Sequence, residues 1–202
     1  MTDLLQVALA TRNRGKVREI AAILEGLPIR LLALDDFPGV EAAVEDGLTF
    51  EDNATKKALH VWRKTGLTSL ADDSGLEVDA LGGRPGIFSA RFAGDGASHA
   101  ANNRKLLGLL GGVPPGERTA RFVCVAALVT LGGELTLDRG TLEGVIGSAP
   151  RGQGGFGYDP VFCVPGYAKT VAELDEAVKN AISHRAKAFA EVRRRLECLL
   201  RG

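Results

Sequence analysis

The sequence predicts an α/β fold, a mixed twisted β-sheet flanked by helices. Three observations predict it. Strand-like and helix-like stretches alternate through the first part of the chain, and a hairpin follows later, a pattern that implies a mixed sheet covered by helices. Polar, glycine-rich loops stand where strands end, which is where open α/β sheets bind ligands. The 202 residues, 45% of them hydrophobic, suffice to bury a proper core in one domain.

The elements follow in order. Leu4–Ala10 is an apolar run that reads as a buried strand. After the polar turn Thr11–Arg14, Val17, Ile20, Ala21 and Leu24 recur at helical spacing, and Pro28 lies beyond their end. Ile29–Ala33 is a second strand, and Asp35–Asp46 is an acidic loop with Pro38 and Gly39. Thr49 can cap a helix reaching about Lys64, with Phe50, Ala54, Ala58 and Val61 on one face and Gly66 at its stop. Leu67–Ala71 is a strand that ends in Asp72-Asp73, and Leu76–Leu81 can extend the sheet. Ser98–Leu110 is helical and stops at Gly111-Gly112. Arg118–Leu131 and Glu134–Leu142 are strands joined by Gly132-Gly133, a hairpin. Pro150–Tyr158 is too rich in glycine for either regular element, and Val161–Val164 is a short strand. Thr170-Val171-Ala172-Glu173 has the pattern of a capping box opening a helix. The last helix packs Phe189, Val192, Leu196 and Leu199–Leu200.

Charge and cysteines narrow the function classes. There are 25 basic and 25 acidic residues, so no basic excess points to nucleic acid or a membrane surface, and neither is an expected partner. The three cysteines are widely spaced with no C-x-x-C, which argues against disulfides and a zinc site and for a reducing compartment. Asp3 stands where a signal peptide wants positive charge, and Val123–Leu131 is too short to cross a bilayer. The expectation is a soluble, cytoplasmic protein.

Five stretches could carry chemistry. Thr11–Lys16 (TRNRGK) sits between a strand and a helix, where free backbone N–H groups and the helix dipole suit phosphate. It reads equally as an N-cap turn with solvated basic residues. It is no Walker A loop, which needs Gly at Ala10 and Ser or Thr at Val17. Glu45-Asp46-Gly47 precedes Phe50–Lys57 (FEDNATKK), where Asn53 and Lys57 share a helical face. Asp72 and Asp73 point to opposite faces of a strand, so only one easily faces a given cleft. They read as an Asp-Ser-Gly turn sealing a strand end, with one carboxylate on backbone N–H groups. Alternatively, one of them joins Glu45 in holding Mg²⁺, a hard cation that takes one or two protein carboxylates plus substrate phosphates. Gly152–Pro160 (GQGGFGYDP) puts Phe156 and Tyr158 in a glycine-rich loop of a chain only 5% aromatic. These rings could stack on a base or plug the space beneath the loop. Finally, Lys179–Arg185 (KNAISHR) gathers Lys179, His184 and Arg185 at the start of the last helix, whereas His60 and His99 lack such neighbours. Together these stretches offer metal ligands, a phosphate cradle, cations and a stacking platform, an inventory that fits a nucleoside triphosphate.

The same stretches, in the same order, resemble the inosine triphosphate pyrophosphatase family. They are TRNRGK from Thr11, TFEDNATKKA from Thr49 and ADDSGL from Ala71, then PGI from Pro85 and SAR from Ser89, then GGFGYDP from Gly154 and SHR from Ser183. Phe88 and Phe92 depart from the family, which often has Tyr there. The resemblance implies one domain over residues 1–202, with two lobes around a central nucleotide-binding cleft, and a homodimer. It implies Mg²⁺-dependent cleavage of non-standard purine nucleoside triphosphates (ITP, dITP, XTP) to the monophosphate and pyrophosphate. By the match, Asp73 is the essential carboxylate and a metal ligand, and Glu45 is the second metal ligand. Thr11, Arg12, Asn13, Arg14, Gly15, Lys16, Lys57, Ser74 and Lys179 fall at phosphate or sugar contacts. Phe156, Gly157, Tyr158, Asp159, His184 and Arg185 fall around the base. Hydrolysis of a different nucleotide, as in the distantly related septum-formation type of nucleotide pyrophosphatase, and a nucleotide-binding regulator are the alternatives.

Overall fold

Caps and apolar spacing set the elements in the computed structural model, which describes residues 4–201. Asp3, on which the leader expectation rests, lies outside them. Strand β1 is Leu5–Leu9, and helix α1, Arg14–Ile23, begins after Asn13. The Asn13 side-chain oxygen accepts from the N–H groups of Gly15 and Lys16 at 2.9 and 3.3 Å, which satisfies two donors the helix itself cannot. Strand β2 is Ile29–Ala33. Helix α2, Phe50–Thr65, starts on a full capping box: the Thr49 hydroxyl accepts from Asp52 N–H at 3.0 Å, and the Asp52 carboxylate accepts from Thr49 N–H at 3.2 Å. It ends at Gly66 in the left-handed conformation (φ 70°), as the sequence predicts. Strand β3 is Thr68–Val78, and β4 is the two-residue pair Pro85–Gly86. Helix α3 is His99–Leu109, β5 is Thr119–Val129 and β6 is Leu135–Ile146. Short strands β7, Phe162–Val164, and β8, Lys169–Thr170, precede α4, Glu176–Ile182, and α5, His184–Leu199.

The strand order is β2-β1-β3-β5-β6-β7-β8, with β4 beside β3. β1 runs parallel to β2 and β3, while β4 on β3, β7 on β6 and β8 on β7 are antiparallel. The sheet is therefore mixed and helices flank it, as expected from the early alternation and the later hairpin.

The chain divides into two compact units, and the division passes between Asp73 and Ser74, inside β3. The first unit takes the residues up to Asp73, Cys124–Gly140 and those from His184 on. Its core is built on Val7 and Leu9 of β1, Ile20 of α1, Leu70 of β3 and Phe189 and Val192 of α5. Gly140 of β6 lies against α5: a Cβ there would stand 2.2 Å from the His184 carbonyl oxygen and 2.6 Å from the Ala188 nitrogen, so only glycine fits. The second unit takes Ser74–Val123 and Thr141–Ser183. Its core gathers Leu76, Leu106, Ile146 and Tyr158, with the rings of Phe122 and Phe162 4.4 Å apart.

Three expectations need correction. β3 does not end at Asp72-Asp73; it continues to Val78, because side-chain cations neutralise both carboxylates and the buried Leu76 and Val78 carry the apolar pattern onward. Thr170–Glu173 opens only one 3₁₀ turn, Val171–Glu173. There the Glu173 carboxylate accepts from Thr170 N–H at 2.8 Å, but the Thr170 hydroxyl donates to the Arg151 carbonyl at 2.9 Å. At the far end of α5, Leu199 is exposed rather than packed.

Candidate active site

Adjacent residues on a strand point to opposite faces, and β3 uses this to give its two carboxylates different surroundings. Asp72 is 1% exposed. Lys16 of α1 forms an ion pair with it, Arg185 Nε donates to Oδ2 at 2.7 Å, and the Cys124 thiol donates to the same oxygen at 3.1 Å. Arg185 Nη1 also donates to Glu19, so α1 and α5 are joined through one buried guanidinium. Burial alone would raise the Asp72 pKa, but the charges of Arg185 and Lys16 outweigh it and hold the carboxyl well below the usual carboxylate range. Burial, reinforced by the Asp72 charge, pushes the Cys124 thiol well up.

Asp73 is 5% exposed and has one close cation: Lys57 Nζ donates to Oδ1 at 2.6 Å. The same ammonium lies 3.5 Å from a Glu45 carboxylate oxygen. Burial pushes the Asp73 carboxyl up to about 6, against the pull of Lys57 and Lys16. Burial alone would lower the Lys57 ammonium, but Asp73 and Glu45 together raise it above its ordinary value. Local sequence explains why Glu45 reaches this place. The Asn53 side-chain oxygen, buried on α2, accepts from Gly47 N–H at 2.8 Å, and a Cβ on residue 47 would stand 2.6 Å from that oxygen. The Gly47–Asn53 contact ties the Glu45 loop to the helix one turn before Lys57.

The remaining predicted residues of the first unit make contacts of their own. The Thr11 hydroxyl accepts from Asn13 N–H at 3.1 Å, so both side chains shape the turn. Arg12 pairs with Asp35 at 3.2 Å and donates to the Val40 carbonyl at 3.0 Å. Arg14 is exposed at the head of α1, Gly15 is half-buried beside it, and His184 is buried at the head of α5.

In the second unit, Ser74 is half-buried on β3. Lys179 of α4 donates to Asp159 Oδ2 at 2.7 Å, and its ammonium lies 5.1 Å from the centre of the Phe156 ring. Asp159 also accepts from Phe156 N–H at 2.9 Å. Gly155 makes this turn possible: its φ is +71°, and a Cβ would meet Asp159 Oδ2 at 2.0 Å. Tyr158 is a correction to the stacking expectation. Its ring is buried in the core and its hydroxyl donates to the Ser89 carbonyl at 2.8 Å, so it supports the loop from below. Beside the loop is a cavity of about 550 Å³, within the range of small-molecule sites, lined by His99, Asn103, Leu107, Gln153, Phe156 and Gly157 among others. His99 Nδ1 accepts from Gly157 N–H at 3.2 Å, and Asn103 Nδ2 donates to the Gly157 carbonyl at 3.1 Å. His99 and Asn103 are four residues apart on α3, a spacing that could have drawn attention to both. Glu19 and Cys124 carried no signal beyond helical and strand periodicity.

Among the described residues, no group of three or more His, Cys, Asp or Glu side chains gathers to hold a metal ion. Two carboxylates, Glu45 and Asp73, do converge on one cation. That donor set suits Mg²⁺, which completes its shell with water and phosphate oxygens, and does not suit a metal that needs an all-protein cage. No helix among the described residues is long and apolar enough to cross a membrane.

Fold and site together define an α/β protein with a carboxylate–lysine centre assembled from a sheet strand, a helix and a loop. The chain belongs to the Ham1 family, whose model matches residues 7–195. It is 56% identical over 185 residues to a dITP/XTP pyrophosphatase of Geobacter sulfurreducens, covering 92% of this chain and 93% of that one. It is 53% identical over 185 residues to a dITP/XTP pyrophosphatase of Desulforamulus reducens, covering 92% of each. Among solved structures, a HAM1 protein from Coxiella burnetii matches with a TM-score of 0.87 and 41% identity, covering 96% of this chain and 99% of that chain. The resemblance read from the ordered motifs is borne out.

Proposed function

We propose that the protein hydrolyses non-standard purine nucleoside triphosphates (ITP, dITP and XTP) to the monophosphate and pyrophosphate, with Mg²⁺. The observation that carries this reading is the Glu45–Lys57–Asp73 group, two carboxylates on one ammonium, with Lys16 of α1 paired to the adjacent Asp72. The names of relatives that match over nearly the whole chain support the substrate class.

In this reading Glu45 and Asp73 hold Mg²⁺, which when bound neutralises charge on the leaving pyrophosphate. The backbone N–H groups at the head of α1, with Lys16, Lys57 and Lys179, orient the phosphates and share their charge. Asp73, a buried carboxylate that faces this centre, also orients the attacking water and accepts its proton. The Phe156 ring stacks on the base beside Lys179 and Asp159. His184 and Arg185 are the donors for a 6-oxo group, which adenine lacks. Unpaired buried donors penalise ATP strongly, by about 10⁴-fold at best. The working form is a cytoplasmic homodimer.

Pyrophosphate release from ITP, XTP, dITP, GTP and ATP, each with and without Mg²⁺, tests the proposal. The expected outcome is Mg²⁺-dependent release from the first three and little from GTP or ATP. A folded protein that binds ITP but releases nothing would favour a binding role.

A further inference from the structure

We infer that Lys57 is a resident stand-in cation that keeps the Glu45–Asp73 pair closed to a free divalent ion until a nucleotide arrives. The inference rests on the proposed metal role of those two carboxylates and deepens it. Lys57 is 7% exposed, and its ammonium lies 2.6 Å from Asp73 and 3.5 Å from Glu45. It therefore fills the position from which a cation would contact both carboxylates. A lysine in that position does two things. It lowers the net charge of the pair that a divalent ion would feel, and it occupies the coordination space. Lys16 does not replace it, because that ammonium is engaged by Asp72 on the other face of β3.

A polyphosphate changes the balance. Its oxygens are strong acceptors for an ammonium, and a flexible lysine stem can swing its head without moving the helix. Once Lys57 transfers to phosphate, it no longer competes for either carboxylate with the ion that accompanies the nucleotide. Metal entry is thus coupled to nucleotide entry by the exchange of one cation for another, and the coupling is reciprocal. Gly47 and Asn53 keep Glu45 within reach throughout.

The test is Mn²⁺ binding to the nucleotide-free protein, followed by calorimetry and by loss of the free-ion paramagnetic resonance signal. Wild type is expected to bind Mn²⁺ weakly. Lys57→Met is expected to bind one ion about 10-fold more tightly or better, and the gain is expected to vanish in Lys57→Met with Glu45→Gln. Lys57→Gln serves if Lys57→Met fails to fold, and its melting temperature should rise more with Mn²⁺ than that of wild type. An affinity in Lys57→Met or Lys57→Gln no higher than in wild type overturns the inference. A non-hydrolysable ITP analogue separates this failure from that of the underlying reading. If wild type binds Mn²⁺ with the analogue present but the Lys57 variants gain nothing without it, only the stand-in role falls. If no form binds Mn²⁺ even with the analogue, the metal role of Glu45 and Asp73 falls as well, and the inference with it.

Discussion

The two faces of β3 make opposite use of the same side chain. On one face Asp72 is enclosed by Lys16, Arg185 and Cys124, and its carboxyl is held far down in pKa. On the other, Asp73 shares a single lysine with Glu45, and burial pushes its carboxyl up to about 6. Fully compensated, a buried carboxylate ties elements together. Partly compensated, it remains able to accept a proton or a cation. Under the proposed function, the cations each can reach favour Asp73 over Asp72 as the carboxylate that carries chemistry.

Asp73→Asn should break this contrast most severely. Turnover of ITP is expected to fall about 10³-fold or more, while thermal unfolding stays within a few degrees of wild type. Near-normal pyrophosphate release would remove Asp73 from the chemistry. Asp72→Ala should do the reverse in kind. It leaves Lys16 and Arg185 buried without their shared partner, and denaturant unfolding should show a loss of about 3–5 kcal/mol.

The two faces should also respond to pH with opposite signs in the metal-free protein. Asp72, depressed in the fold, contributes stability that is present above its unfolded value near about 4 and is lost as pH falls. Asp73, raised to about 6, is easier to bury protonated, so its contribution is present below about pH 4 and is lost as pH rises toward 6. Unfolding curves between pH 3 and 7 should lose the acid-side fall in Asp72→Asn and the decline toward pH 6 in Asp73→Asn. A single slope shared by both variants would mean that the two carboxylates are not distinct.

Smaller changes sharpen the Asp72 face. Arg185→Lys can serve Asp72 or Glu19 but not both through a planar fork, and a loss of about 1–3 kcal/mol is expected. Comparing ITP with ATP in the same variant checks the base-reading role. Weaker discrimination supports it, whereas unchanged discrimination with lowered stability leaves Arg185 as an anchor for Asp72 and Glu19. Cys124→Ala removes a weak donor and a small volume from a strand that is otherwise intact, and about 1 kcal/mol should be lost with turnover unchanged.

Much of this was readable in advance where the cause is local. Thr49 and Gly66 bound α2 because capping and the left-handed turn depend on a few neighbouring residues. Asn13 marks α1 for the same reason. β3 was misread at Asp72-Asp73 because the cations that permit a strand there lie 16, 56 and 113 residues away, at Lys57, Lys16 and Arg185. Tyr158 and Phe156 are two residues apart in one motif, yet one is a core plug and the other stands by a cavity. Only the course of the glycine-rich loop separates them, and glycine spacing does not fix that course. His99 lacks basic neighbours in sequence, and its partner in the fold is a backbone N–H of that same loop.

The contact between Gly47 and Asn53 has a consequence for how such a site can drift over generations. A side chain at position 47 would collide with the Asn53 amide and the Asp52 Cβ, and replacing Asn53 would remove the acceptor of the Gly47 N–H, so each residue is held by the other. A smaller residue at 53 would not make room at 47, because a Cβ there would also meet the Asp52 Cβ at 2.6 Å, and loss of Asn53 would leave the loop bearing Glu45 in need of another tether. The two positions should therefore behave as one inherited character, six residues apart, and a homologue that has lost the pair should have lost or relocated its Glu45 as well.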